Sequence, residues 1–244
     1  MRVAVFSDIH SNLEALESVL EHASGQKVDR YVCLGDVGGY GANPNECIDV
    51  LRSLPECLCL LGNHDAAVLG VHVNMNREAW KVIHWTRERL TMSGLWFLMA
   101  LEDLVKWGDV SFCHSNPYNP RKWHYVVEKS SISSSFARSK AKILFIGHTH
   151  VPVVITRRNF FCVYIRSSQH PMVVPVAERN RQIFNCGSVG QPRDGDPRAS
   201  YLIYDDQKQV IEFHRVVYDH ERAGKKILAA GLPEDFALRL ANGH

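Results

Sequence analysis

Cys57-Leu58-Cys59-Leu60-Leu61 runs straight into Gly62-Asn63-His64-Asp65, and this junction decides the fold. A short apolar run bounded by a turn residue reads as a buried strand. It ends in a glycine and then presents an amide, an imidazole and a carboxylate in succession. Sheets of α/β proteins collect ligands at the carboxyl ends of their strands, where loops hold polar groups in a crevice. Three other strand ends have the same character: Ser7-Asp8-Ile9-His10, Gly35-Asp36 and Gly147-His148-Thr149-His150. The expectation is one polar site assembled from four strand ends.

Outward from that junction the chain alternates. Arg2 to Ser7 is a β-branched and aromatic run, hence a first strand. Ser11 or Asn12 can cap the helix that follows, where Leu13, Leu16, Val19 and Leu20 recur at helical spacing. Arg30 to Leu34 is the second strand, and Pro44 fits the first turn of a helix carrying Cys47, Ile48 and Leu51. This order predicts a parallel sheet with right-handed crossovers.

Asn74 to Met92 reads as an amphipathic helix with Trp80, Ile83, His84 and Trp85 near one face, His84 packed in the core. Trp107-Gly108 turns a hairpin that ends at His114, Glu128 to Ala141 reads as a helix, and Lys142 to Ile146 as a strand. After residue 150 come short runs separated by turn residues: 151–156, 160–165, 172–176, 182–184, 199–204 and 210–216. They predict a second, mainly antiparallel sheet. A helix is expected over 219–230, and with no repeat or long linker the chain is expected to form one domain, 1–244.

The balance of the chain bounds its partners. With 244 residues it can bury a sizeable core without disulfides. A formal net charge of +2, with no basic block longer than a pair, argues against a nucleic-acid or acidic-membrane surface. No apolar run approaches the length of a membrane span. Met1 leads into an early charge rather than a secretory signal, and the seven cysteines include no CxxC pair. A structural zinc site is therefore not expected, and a reducing cytoplasm fits best. Whether the chain forms a homo-oligomer is left open by these features.

The ligand-type residues at the strand ends are Asp8, His10, Asp36, Asn63, His114, His148 and His150. Mixed imidazole and carboxylate donors suit manganese, iron, zinc or nickel rather than calcium. Seven are too many for one tetrahedral ion, and suit two ions about 3.5–4 Å apart sharing a carboxylate. A single histidine or aspartate at a strand end is usually a turn residue. The set is different, because each member follows a predicted strand and Gly35, Gly62 and Gly147 precede three of them.

Asp8-x-His10, Gly35-Asp36, Gly62-Asn63-His64-Asp65, His114 and Gly147-His148-x-His150, in this order, resemble the calcineurin-like metallophosphoesterases. The stretches 38–44 and 187–193 are similar to the small bacterial branch related to YfcE-type phosphodiesterases. The resemblance implies an α/β fold, a four-layer αββα sandwich of two packed mixed sheets flanked by helices. It implies two divalent transition-metal ions, manganese favoured. Asp8, His10 and His150 would hold one, Asn63, His114 and His148 the other, and Asp36 would bridge. His64 would face the leaving group as general acid, and Asn12 and Arg193 would touch the phosphate.

The implied reaction is hydrolysis of a small phosphodiester by a metal-bridging hydroxide, with His64 giving the departing alkoxide its proton. Alternatives are a phosphomonoesterase or nucleotide pyrophosphatase, or a non-catalytic metal-binding scaffold, which would not need His64. One departure bears on the chemistry. Related phosphatases continue Gly-Asp with a further aspartate or an arginine, whereas Val37-Gly38-Gly39 follows Asp36 here. Charge clamping beyond the metals is thus expected to be modest, and Gly38, Gly39 and Gly41 are read as making room for a second ester group.

Overall fold

The structure, a computed structural model, describes residues 1–157, 161–164 and 171–244. The strands are β1 (Arg2–Phe6), β2 (Arg30–Cys33), β3 (Cys57–Cys59), β4 (Leu104–Trp107), β5 (Val110–Cys113) and β6 (Ile143–Ile146). They continue with β7 (Val153–Thr156), β8 (Phe161–Tyr164), β9 (Met172–Pro175), β10 (Gln182–Asn185), β11 (Ala199–Asp205) and β12 (Val210–Val216). Two six-stranded sheets result, in the orders β3-β2-β1-β11-β12-β9 and β4-β5-β6-β10-β7-β8. In the first, β1, β2 and β3 are parallel and β11 runs against β1. In the second, β5, β6 and β10 are parallel and β7 runs against β10.

The helices are α1 (Leu13–Gly25), α2 (Pro44–Ser53), α3 (Asn63–Val68), α4 (Arg77–Arg89), α5 (Met92–Met99), α6 (Lys129–Arg138), α7 (His220–Ala229) and α8 (Glu234–Asn242). Side-chain alternation along the strands builds the layers. On β1, Val3 and Val5 face the second sheet, joining Phe112, Phe145, Phe184 and Leu202 in a core between the sheets. Ala4 and Phe6 face the other way, against Leu16, Ile48 and Ile227 of α1, α2 and α7. On the far side of the second sheet, Leu144 and Ile146 pack with Ile132 and Phe136 of α6. The result is the four-layer αββα arrangement.

Three expectations are corrected. The strands after residue 150 do not form a sheet of their own: β9, β11 and β12 extend the first sheet, while β7, β8 and β10 extend the second. Short alternating strands carry no local record of their partners. The helix expected over 74–92 begins at Arg77, because the Asn76 side chain accepts from the Ala79 N–H at 2.8 Å and caps it there. A separate helix, α5, follows it. His84 is exposed rather than in the core, on the solvent side of Val82 and Ile83. The 160–165 run is described only as β8, so its ends lie outside the described residues. The six cysteines described are unbridged, with Cys57 and Cys59 Sγ atoms 3.6 Å apart on their shared face. No helix among the described residues is long and apolar enough to cross a membrane.

One buried histidine on the first sheet makes stability depend on pH. His214 stacks on Tyr201 at 5.0 Å, and its Nε2 lies 3.2 Å from Glu212. Burial outweighs the carboxylate and pushes His214 down to about 4. Its folded value lies below the unfolded one near 6.5, so the unfolded chain takes up the proton first. The contribution is complete above pH 6.5 and is lost as pH falls toward 4, at most about 3 kcal/mol. Urea unfolding of metal-stripped protein at pH 7 and pH 4.5 checks this. His214→Phe should shrink the acid-induced loss relative to wild type, and an unchanged loss would show that His214 is not its source.

Candidate metal centre

The parallel strands of both sheets end on one side of the molecule and deliver their loops to one place. Asp8 and His10 follow β1, Asp36 follows β2, Asn63 and His64 follow β3, His114 follows β5, and His148 and His150 follow β6. All are buried. The turns are tight enough to force Asp8, His10, Asp36, His148 and His150 to positive φ, between 50° and 67°. A side chain in that region costs about 1–2 kcal/mol, and such strain gathers at functional sites. Packing of the loops sustains it. A Cβ on Gly62 would lie 2.0 Å from Asp36 Oδ1, and one on Gly190 would lie 1.8 Å from the Ile9 carbonyl. Both contacts require a residue without a side chain.

Three imidazoles are oriented in one way. His10 Nδ1 donates to the Gly38 carbonyl at 3.1 Å, His114 Nδ1 to Leu34 at 3.2 Å, and His150 Nδ1 to Gln191 at 2.6 Å. A histidine whose Nδ1–H is so held presents Nε2 as a lone pair, the arrangement that fixes metal-ligating histidines. His10 and His150 Nε2 then face each other at 3.1 Å. Asp8 Oδ1 is 3.4 Å from His150 Nε2 and 3.8 Å from His10 Nε2, and it is buried without a hydrogen-bond partner. Two lone pairs and an orphaned carboxylate oxygen meeting in a buried space fit a cation.

A second set lies alongside. His114 Nε2 is 3.1 Å from Asn63 Oδ1 and 3.4 Å from Asp36 Oδ2. His148 gives Nε2–H to the Trp123 carbonyl at 2.8 Å, which leaves Nδ1 free. Asp36 Oδ2 is also 3.7 Å from His10 Nε2, so it stands between the sets. Three ligand groups can be drawn within ion-binding reach: Asp8-His10-His150, His10-Asp36-His64 and Asp36-His114-His148.

Electrostatics agrees with that division. Burial raises Asp8 to about 7. For Asp36 burial acts the same way, but His114 and His64 outweigh it and hold the carboxylate well below its usual range. Burial lowers His114, yet Asp36 and Asp8 overcome it and raise the imidazole to about 9, so its Nε2 carries a proton in the metal-free protein that a divalent ion would displace. Burial depresses His10, His148 and His150, His148 to about 3, and keeps them neutral. Neutral imidazoles beside ionised carboxylate are what a divalent ion requires.

Around this cluster the expected residues divide. His64 lines the cleft above it, its ring edge-on to His10 at 4.7 Å and 4.5 Å from Tyr40, with Nδ1 unpartnered. Burial holds it down to about 4. Asp65 does not orient that ring. Its carboxylate accepts the N–H groups of Gly62, Val37 and Gly38 and holds two loops together. Asn12 is also spent elsewhere: it caps α1 through Ala15 N–H and donates to the Gly190 carbonyl at 2.9 Å, away from the cleft. Arg193 does line the cleft, holding Tyr40 Oη at 3.3 Å and Gln191 Oε1 at 3.0 Å.

The cleft encloses about 800 Å³. Its wall also includes Tyr40, Lys122, Trp123 and Tyr125, together with Arg239, which the sequence reading missed. No acidic residue lines it among the described residues. Clamping charge is therefore greater than expected, because Lys122 and Arg239 come from distant segments with no motif of their own. Gly39 and Gly41 serve packing. A Cβ on Gly39 would meet His64 Nδ1 at 2.4 Å, and one on Gly41 the His10 carbonyl at 2.5 Å.

The profile of the calcineurin-like phosphoesterase superfamily domain matches residues 1–209. The chain belongs to that superfamily. An uncharacterized protein, MJ0912 of Methanocaldococcus jannaschii, is 38% identical over 247 residues, covering 99% of this chain and 98% of that protein. A metallophosphoesterase structure from Sphaerobacter thermophilus shares 37% identity with a TM-score of 0.89, over 100% of this chain and 99% of that one. The hypothetical protein PH1004 of Pyrococcus horikoshii OT3, at 18% identity and TM-score 0.82 over 100% and 98%, shares the fold. Calcineurin-like phosphoesterases are metal-dependent hydrolases of phosphoesters, and the three ligand groups give this member a place for divalent ions.

Proposed function

We propose that the protein hydrolyses phosphodiesters with two divalent metal ions, manganese favoured. Asp8, His10 and His150 would hold one ion, Asn63, His114 and His148 the other, and Asp36 both. The observation that carries this reading is Asp36 Oδ2, which lies 3.4 Å from His114 Nε2 and 3.7 Å from His10 Nε2, within reach of both sets. When bound, such ions activate water near neutral pH and neutralise phosphoryl oxygens. The chain's own contribution is orientation. The carbonyls of Gly38, Leu34 and Gln191 fix three imidazoles, and Arg193 offers a guanidinium to a phosphoryl oxygen. His64 faces the space where a leaving group would sit.

A diester is favoured by room, since an 800 Å³ cleft is of the size that encloses a whole organic ligand. A second reading, cleavage of the phosphoanhydride of a nucleotide pyrophosphate, is favoured by one observation, the Lys122 and Arg239 cations in the same cleft. The test is kcat/KM for bis-p-nitrophenyl phosphate and p-nitrophenyl phosphate with the same manganese-loaded protein. The diester is expected to be the better substrate. A tenfold preference for the monoester, about 1.4 kcal/mol in transition-state stabilisation, would overturn the diesterase reading.

A further inference from the structure

The 123–125 segment wraps His148 from two sides. The Trp123 carbonyl accepts from His148 Nε2 at 2.8 Å, and the Tyr125 ring stacks on the imidazole with centroids 4.4 Å apart and planes 16° apart. Trp123 is buried at a φ of 46°, so the turn before Tyr125 is tightly constrained. Tyr125 itself is 51% exposed. One face of its ring is covered by His148, and the rest lines the cleft that also holds Asn63 and His64. Packing that holds one ring face rigid and leaves the other open makes a stacking platform whose rotamer is already fixed.

An adjoining groove of about 280 Å³ begins at the same tyrosine and is walled by Val127, Val151, Val153 and Ile155. It has no charged lining residue among the described residues. A substrate phosphate over the metal centre would therefore carry its ester group onto an aromatic face, with an apolar groove beyond. We infer that Tyr125 sets specificity by stacking on the ester group of the substrate, and that this group is a flat aromatic ring. The inference rests on the site being a phosphoester site, and not on the preference for diesters over monoesters.

The ring needs no chemistry to be detected. Phenylphosphonate and methylphosphonate carry the same anionic head and differ in the group that would meet Tyr125. Calorimetric titration of the manganese-loaded protein measures both without turnover. Phenylphosphonate should bind about tenfold more tightly, the scale of one aromatic pair plus its buried area. Tyr125→Ala should bring that ratio close to one through loss of phenylphosphonate affinity, with metal content measured in parallel. Tyr125→Phe should keep the ratio. A ratio unmoved by Tyr125→Ala would overturn the inference. So would equal loss of both phosphonates together with metal, which would make Tyr125 only a support for His148. Failure of either phosphonate to compete with an ester would instead count against the phosphoester site itself.

Discussion

Replacing Asp36 by asparagine should strip metal from the whole centre, whereas replacing Asp8 should strip only half of it. Asp36 Oδ2 lies between the His10 and His114 nitrogens, and Asp8 Oδ1 lies beside His10 and His150. The charge at Asp36 has a further role, since it is the largest force holding His114 up at about 9 against burial. Without it, a buried imidazole and any cation beside it lose their counter-charge, and uncompensated buried charge is among the costlier defects in a protein. A partner outside the coordinating set is worth about 10–100-fold in metal affinity, and a shared ligand should exceed that at both positions. Elemental analysis per chain, with circular dichroism to verify the fold, distinguishes the outcomes. Asp36→Asn should fall from two ions toward none, and Asp8→Asn from two to one. If Asp36→Asn kept one ion at full occupancy, the carboxylate would not be shared. Hydrolysis should follow the metal, falling by at least about 10³-fold, a loss comparable to removal of the chemistry a metal supplies.

How much of this was legible in the sequence follows from the range of each interaction. Asp8-x-His10 and His148-x-His150 could be read because the signal is local: an apolar run stops and ligand-type side chains follow. That local reading extends to the seven ligand-type residues, which the structure brings to one place. Sheet membership was not legible. β11 pairs with β1 through Val3↔Tyr204 and Val5↔Leu202, across most of the chain, and nothing in either strand records its partner. The helix α5 escaped because Met92-Ser93-Gly94-Leu95-Trp96-Phe97-Leu98-Met99 is apolar nearly all round and shows no period. Asn12 had two valid readings, cap and phosphate contact, and its hydrogen bonds to Ala15 and Gly190 show the first. Arg239 sits in a stretch without a motif, so only the folded chain brings it to the cleft.

Removing the His64 side chain should leave both ions in place and still cost most of the activity on esters with poor leaving groups. The backbone N–H of His64 donates to Asp36 Oδ1 at 2.8 Å, and that contact survives substitution by alanine. Its ring contacts are with Tyr40 and His10, and Nδ1 has no protein partner. A buried polar atom without a partner calls for an explanation, and the residue lines the cleft above the cluster. Burial, with the Arg193 cation adding to it, holds the imidazole to about 4 in the free protein. An anionic phosphoester above the ring acts in the opposite direction, favouring the protonated form that can give a proton to a departing alkoxide. General acid catalysis of this kind is worth about 10²–10⁴-fold. His64→Ala should therefore lose on that scale with an alkyl ester, and much less with p-nitrophenolate, which departs without protonation. Because the acid form is required, wild-type activity on the alkyl ester should fall as pH rises, and the variant should lack that limb. Losses of equal size on both esters would show instead that His64 positions the phosphate.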